Sequence, residues 1–317
     1  MRKLLYFFLF LSLLLPDVTH AGSRLKIMSF NAWGAGSNQG KSIEETVAVI
    51  QALNPDIIGL QEIRPESVSC DAEVCPPGPA SVAPQLAAAL GYELLEQLED
   101  NEVLWANAIL SRFPIESVTP GGLGAQFNVN GKSVVLFNIH LTDYPYQPYQ
   151  LLNIPYGDAE FLVTAAAAEE SAKRTRGPGL ALLEADLATV EHTDVILITG
   201  DFNEPSHLDW TAEAVAAGLH PLVVNWPFTW ALGQAGFTDT FRAAHPDEVE
   251  KPGFTWSPMM GDDDLNDHRD RIDYVFVRGA GVKTESAAVA GENSPWTDEV
   301  IEPWPSDHRA VISVITF

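Results

Sequence analysis

The sequence predicts one domain of mixed structure, α+β or α/β, and three observations predict it. Short β-branched runs recur along the chain, stretches with apolar residues three and four apart lie between them, and no flexible linker divides the whole. The first run, Leu25–Phe30, stops at Asn31. Ile43, Val47, Ile50 and Leu53 then mark one face of a helix near residues 42–53. Residues 56–60 form a second run that leads into Gln61-Glu62, and Val134–Ile139 a third that stops at His140. Leu180, Leu183, Leu187 and Val190 give a helical face over 180–190. Val195–Thr199 runs into Gly200-Asp201, and Ser206 with Asp209 three residues on reads as a capping box opening a helix over Leu208–Ala217. Ile272–Val277 carries Asp273 near its start, and Ala310–Phe317 reads as a strand. Strand ends of this kind are where such folds collect their chemistry.

Composition sets further bounds. With 46% hydrophobic and 19% charged residues the chain is globular, and the balance of 18 Lys+Arg against 43 Asp+Glu gives a net charge of −25. So acidic a chain repels polyanions at long range and disfavours non-specific nucleic-acid binding, although a metal ion can invert the field locally. Arg2 and Lys3 precede an apolar run from Leu4 to Leu15 that Pro16 ends, with Thr19-His20-Ala21 as a cleavage site. The run is short for a bilayer span, so residues 1–21 read as a secretory signal peptide, with an uncleaved anchor as the alternative. Its removal deletes Arg2, Lys3 and Asp17, leaving a mature charge of −26 on residues 22–317. The expected location is secreted or periplasmic. Cys70 and Cys75 would pair there and close a small loop.

The stretch 143–179 stands apart. Rich in Tyr and Pro at its start, it continues through an Ala/Glu segment to KRTRGPG and reads either as a surface flap or as a lid or wall of a substrate site. Lys173, Arg174 and Arg176 are its densest basic cluster, suited to an anionic group or to a solvated helix face.

Six short words carry the chemistry: SFNAWG (29–34), GLQE (59–62), NIHL (138–141), GDFNEP (200–205), RIDYVFV (271–277) and SDHRAV (306–311). Singly, each is compatible with a turn or an exposed strand end. Together they set Asn, Glu, His, Asp, Asn, Asp, Asp and His at the ends of apolar runs, a set of convergent polar groups that chance does not readily assemble.

In order, spacing and wording the six resemble the endonuclease/exonuclease/phosphatase superfamily, and the resemblance runs from Asn31 to His308. It implies a four-layer α/β sandwich, two central mixed sheets flanked by helices, and a divalent-metal phosphoesterase. By that resemblance Glu62 is the principal metal ligand, Asn31 assists through its side-chain oxygen, and Asp307 is a further ligand. Asp201 orients or deprotonates the attacking water, and Asn203 holds that water and a phosphoryl oxygen. His308 stabilises charge on the phosphoryl group or protonates the leaving oxygen, Asp273 pairs with it, and His140 hydrogen-bonds the phosphate. The implied cofactor is Mg²⁺, with Mn²⁺ or Ca²⁺ as alternatives, since hard cations take oxygen ligands. Among softer candidates, Asn107 matches a phosphate-holding position or a satisfied turn amide, and Asp239 and Trp256 read as packing around the site. One of Arg269 and Arg271 faces substrate on this reading, whereas His192, His207, His245 and His268 belong to no constellation.

The expected substrate is a small or lipid-linked phosphate mono- or diester, with a membrane surface compatible and the protein a monomer. A secreted deoxyribonuclease is the alternative, and an inactive binding protein on the same fold is the alternative of another class. The acidity argues against the first, and the complete residue set against the second.

Overall fold

The computed structural model describes residues 23–65, 80–97, 103–261, 264 and 266–317. Residues 1–21, expected to be a signal peptide, and Cys70 and Cys75, expected to pair, lie outside the described residues. The chain opens with β1 (Arg24–Asn31), α1 (Ile43–Leu53), β2 (Ile57–Gln61), α2 (Ala83–Leu90), β3 (Glu93–Glu96), β4 (Ala108–Ser111), β5 (Ser117–Val118), β6 (Gly124–Val129) and β7 (Lys132–His140). There follow α3 (Gln147–Leu152), α4 (Ala165–Leu187), β8 (Val195–Asp201), α5 (Ala212–Ala216), α6 (Pro227–Gln234), β9 (Thr238–Asp239) and α7 (Thr240–Ala244). The last four strands are β10 (Asp273–Gly279), β11 (Lys283–Gly291), β12 (Glu299–Val300) and β13 (Ala310–Thr316).

Two sheets stack face to face. One has seven strands in the order β12-β11-β13-β1-β2-β4-β3, the other six in the order β5-β6-β7-β8-β10-β9. Alternate side chains of each strand point to opposite faces, and the apolar residues divide accordingly. Leu25, Ile27, Ile57, Phe127, Val134, Leu136, Val195, Leu197, Val275 and Ile315 fill the layer between the sheets. Met28, Phe30, Ile58, Leu60 and Leu110 pack outward onto α1 and α2. On the other side Phe137, Ile139, Ile196, Ile198 and Phe276 pack onto α4 and α6 through Leu183, Leu187, Phe228 and Leu232. Helix, sheet, sheet and helix make the four-layer sandwich, and both sheets are mixed.

Strand direction sets where the polar ends meet. β1 runs parallel to β2, and β7 parallel to β8, so Asn31 stands opposite Gln61 and His140 opposite Asp201. β10 is antiparallel to β8 and β13 antiparallel to β1, which brings the beginnings of these two strands to the same edge; Asp273 stands opposite Asp201. Along the inner face, side chains pass from apolar to polar toward that edge: Val134, Leu136, Asn138, His140 on β7 and Val195, Leu197, Thr199, Asp201 on β8.

Two predicted helices come out differently. The face at 180–190 belongs to the longer α4, which takes in the Ala/Glu segment and KRTRGPG. Thr164 caps its start, its Oγ1 accepting from Ala167 N at 3.2 Å, and Ala168, Ala172, Arg176, Gly179, Leu183 and Leu187 are buried at helical spacing. That packing overrides Gly177 and Pro178, and Gly179 fits because a Cβ there would stand 2.7 Å from Val103 and 2.9 Å from Leu141. The capping box at Ser206 does not open a helix over 208–217. Asp209 instead receives Arg242 Nε at 2.6 Å and Arg271 Nε at 2.9 Å, and the helix is the short α5, capped by Thr211 through Ala214 N at 3.1 Å. Among the described residues no helix is long and apolar enough to cross a membrane.

One glycine is required by the sheet stacking. A Cβ on Gly59 in β2 would lie 2.0 Å from Thr199 Oγ1 and 2.4 Å from Asn138 Oδ1 of the opposite sheet, whereas one on Gly91 meets nothing within 4 Å. Gly59→Ala is expected to lower stability by about 3 kcal/mol, since overpacking is not relieved in a buried layer. Gly91→Ala, whose cost is only the left-handed backbone, should lose about 1 kcal/mol. Urea unfolding of the two variants checks the difference.

Candidate active site

All eight residues singled out at the strand ends meet around one cleft or directly behind it. The cleft has a volume of about 920 Å³ and is lined by Glu62, His140, Asp201, Asn203, Asp307 and His308, with Asn31 and Asp273 buried against them. Asn31 Nδ2 donates to Glu62 Oε1 at 2.8 Å and to Asp201 Oδ2 at 3.0 Å, holding two carboxylates side by side. Its Oδ1 accepts from Trp33 N at 3.1 Å. The expected oxygen ligand thus presents its nitrogen to the two carboxylates, while its oxygen accepts from Trp33 N.

Backbone conformation aims two of these groups. Glu62 follows β2 with φ 51° and Asn203 follows β8 with φ 46°, both left-handed. Asparagine tolerates that region, while for Glu62 the strain is held by backbone bonds from Gly34 N to Glu62 O (2.7 Å) and from Ala32 N to Gln61 O (2.9 Å). Asn203 N donates to Asp201 Oδ1 at 2.9 Å, and Asn203 Nδ2 to Leu141 O at 2.9 Å. His140 Nε2 stands 3.7 Å from Glu62 Oε1 and 3.7 Å from Asp201 Oδ2.

His308 sits between two acids. Its Nδ1 is 2.9 Å from Asp273 Oδ2, and its Nε2 is 3.6 Å from Asp201 Oδ2. Burial opposes charge on this ring, but the carboxylates of Asp273 and Asp201 outweigh it and hold the imidazole well above its ordinary pKa. Burial also raises Asp273, against the pull of His308. Asp307 is pushed up to about 6, chiefly by burial and further by the charge of Glu62, and its Oδ1 has no hydrogen-bond partner.

The donor set fits a divalent cation. Glu62, Asp201 and Asp307 bring carboxylate oxygens to one cleft, among the described residues no lysine or arginine lines it, and Asp307 Oδ1 is buried and unpaired. Hard cations take such oxygens, and Glu62, His140 and Asp201 place one ligand atom each within 4.8 Å of one another.

The rest of the cleft is aromatic. Tyr146, Tyr149 and Tyr156 from the 143–179 stretch form a wall with Trp256, the rings of Tyr146 and Tyr149 each 5.9 Å from the indole. Trp105 stands 6.0 Å from His140 on another side. The wall is braced by carboxylates: Tyr146 OH donates to Asp270 at 2.7 Å, Tyr149 OH to Asp267 at 2.5 Å, and Tyr156 OH to Asp143. Of the two readings of this stretch, wall and surface flap, the geometry is that of a wall.

A model of the Endonuclease/Exonuclease/phosphatase family matches residues 28–308, most of the chain. The chain belongs to this family. It is accordingly a metal-dependent phosphoric ester hydrolase. The match takes in the first five words whole and the sixth as far as His308. A Caenorhabditis elegans protein, F14F9.5, is 28% identical over 306 residues, covering 92% of this chain and 91% of its own. An endonuclease/exonuclease/phosphatase from Beutenbergia cavernae superposes with a TM-score of 0.55 at 18% identity, over 93% of this chain and 72% of that one. TDP2 from D. rerio, complexed with a single-strand DNA product, gives 0.55 at 17% over 93% and 100%. NExo, a 3′ phosphatase from Neisseria bound to a product DNA hairpin, gives 0.52 at 18% over 91% and 98%. At these identities the likeness to the solved structures is one of fold.

The softer candidates sort clearly within the family frame. Asn107 is buried, its Nδ2 donates to Val103 O (3.3 Å) and Asn138 O (3.4 Å), its Oδ1 has no hydrogen-bond partner, and it is not among the residues lining the cleft. Asp239 caps α7 and pairs with Arg271 at 2.8 Å. Arg271 therefore does not face substrate; it is buried between Asp209 and Asp239, and Arg269 donates to Met260 O. Trp256, read as packing, lines the cleft. The basic cluster of α4 disperses: Arg174 pairs on the surface with Glu170, one turn away, while Arg176 is buried on Gln147. His268 is not isolated but faces His220. Trp33 and Trp105 were not legible as site residues, since nothing in their local words separates them from core aromatics.

One buried acid beside the site gives a pH signature. Glu204, in the GDFNEP word, accepts from Phe228 N at 2.7 Å, while its other oxygen has no partner. Burial pushes it up to about 7 from 4.5, with Arg176 and the Phe228 bond opposing. The folded state thus holds this proton more tightly than the unfolded chain. Its contribution to stability is full below about pH 4.5 and is lost as pH rises through 7. A pKa unit is worth about 1.4 kcal/mol, so the loss is on the order of 3 kcal/mol. Glu204→Gln keeps the acceptor for Phe228 and should remove this decline, gaining stability over wild type at pH 8 but not at pH 4.5. Denaturant midpoints at the two pH values check it.

Proposed function

We propose that the protein is exported and hydrolyses a phosphate mono- or diester, small or lipid-linked, by in-line attack of water. One observation carries the substrate class: among the described residues the cleft is lined by aromatic rings, carboxylates and two histidines and by no lysine or arginine. Nucleic-acid binding draws its affinity from cationic side chains along the phosphate backbone, and the net charge of −25 works in the same direction. An aromatic wall suits the apolar or sugar-like part of a small substrate. Phe161 and Val163, 48% and 84% exposed, follow Tyr156 beyond the wall and suit contact with a lipid surface. Export rests on the basic start and apolar run of residues 1–21.

The cation, Mg²⁺ or alternatively Mn²⁺ or Ca²⁺, supplies neutralisation of charge on the phosphoryl oxygens when bound. Glu62 and Asp307 would hold it, with Asn31 keeping Glu62 beside Asp201. Asp201 orients the attacking water and takes its proton; Asn203 N fixes one of its oxygens and leaves Oδ2 turned toward Asn31, His140 and His308. Asp273 fixes the His308 tautomer by occupying Nδ1, so Nε2 is the atom that meets the phosphoryl group or gives a proton to the leaving oxygen. His140 and Asn203, side by side at 3.4 Å, hydrogen-bond the phosphate.

Glu62→Gln and His308→Ala are each expected to lower kcat on the true substrate by on the order of 100-fold or more while the fold stays intact. A substrate panel with Mg²⁺ should show turnover of small or lipid-linked phosphoesters exceeding that of DNA. Faster DNA cleavage that falls steeply with salt would replace this reading with the nuclease.

A further inference from the structure

Behind the tyrosine wall lies a second cluster. His220 Nδ1 and His268 Nε2 face each other at 3.1 Å, and each stands 3.9 Å from Asp270 Oδ1. We propose that His220, His268 and Asp270 form a second metal site, distinct from the carboxylate-rich cleft, that takes a transition-metal ion of the zinc type. Ligand atoms around a tetrahedral zinc stand about 3.3 Å apart, given metal–ligand bonds near 2.0–2.2 Å. The observed spacings reach that geometry with shifts of about half an ångström in Asp270. Two imidazoles and one carboxylate select a borderline-soft ion over Mg²⁺.

The surroundings are those of supported ligands. Trp210 stacks on the His220 ring at 4.4 Å with 14° between planes and donates from Nε1 to Asp270 Oδ1 at 3.0 Å. Tyr146 OH donates to Asp270 Oδ2 at 2.7 Å. Such bonds orient the ligands of a metal before it binds. Asp270 is 1% exposed, and among the described residues no lysine or arginine forms an ion pair with it. A carboxylate buried in that way needs a proton or a cation. The His268 side chain keeps 16% of its surface exposed, whereas His220 and Asp270 are buried, so an ion would reach the cluster from the His268 side. The ion would fix Asp270 and, through Tyr146, the wall of the cleft.

Metal-stripped protein titrated with Co²⁺ in a large excess of Mg²⁺, which keeps the cleft occupied, tests this. The expected result is one equivalent of Co²⁺ taken up with the intense visible absorption of a four-coordinate site. His220→Gln and His268→Gln, shown by near-UV circular dichroism to be folded, should each weaken that uptake at least tenfold. Zn²⁺ should raise the Tm of wild type and not of the variants. Folded wild type giving no four-coordinate band overturns the proposal, as does a band retained in both variants.

Discussion

The side chain of Asn138 is the point on which the site depends. It projects from β7 into the space between the sheets and makes five hydrogen bonds there. Its Nδ2 donates to Leu60 O, Gln97 Oε1 and Ala108 O, and its Oδ1 accepts from Gln61 Nε2 and Thr199 Oγ1. One amide thereby ties β7 and β8 of one sheet to β2 and β4 of the other. Each of these groups, left unpaired in a buried layer, would cost about 1–3 kcal/mol, so the register of one sheet on the other is fixed by polar satisfaction as well as by packing. Apolar layers slide more readily than hydrogen-bonded ones. Asn138 lies two residues from His140, and its partners lie one and two residues from Glu62 and Asp201. Locking this layer sets the separation of the groups that do the chemistry.

The strand words were legible because their polar ends are constrained twice, by parity and by direction. Asn31, His140, Asp201 and Asp273 continue the inward-facing series of their strands, and a period of two is visible in any single sequence. What was hidden arises from long-range pairing. Asp209 looks like a helix-opening residue until Arg242 and Arg271, far along the chain, claim it. Gly177-Pro178 looks like a stop until the buried face of α4 outweighs it. His220 and His268 lie 48 residues apart and become neighbours only when the segment leading into β10 packs on Trp210, which contacts both rings. No local propensity encodes such meetings. The role of the 143–179 stretch was half legible: its tyrosines marked it, but only Asp267 and Asp270 behind them make it a wall.

The tyrosines themselves are held as hydrogen-bond donors. Burial, reinforced by Asp270 for Tyr146 and by Asp267 for Tyr149, drives their pKa values far above the ordinary range, so both hydroxyls stay protonated and point away from the cleft toward carboxylates. Their ring faces and edges, not their oxygens, are left for a ligand. Edge-to-face contacts at 5.0 Å between Tyr146 and Tyr149 stiffen the surface further. A rigid apolar wall recognises shape and apolar area, and supplies little that could discriminate one phosphate from another.

Discrimination of phosphate has to come from the opposite end, and there the charge creates a difficulty that the fold resolves. Glu62, Asp143, Asp201 and Asp307 all line the cleft, against the two histidines His140 and His308. Two like charges 4 Å apart repel by about 4 kcal/mol at an effective dielectric constant of 20, so this end of the cleft rejects a phosphate group on its own. The clamped imidazolium of His308 offsets one carboxylate, and its partner Asp273 is itself an acid. A divalent cation held by these carboxylates would tip the balance toward attraction, and so would serve binding as well as chemistry. On the proposed reading the acidity contributes to selectivity: a long polyanion meets a net charge of −25 with one attractive point, whereas a small ester needs only that point and the aromatic wall. On that same reading the excess negative charge and the uncharged wall would act together, the first disfavouring long polyanions and the second holding the apolar part of a small ester.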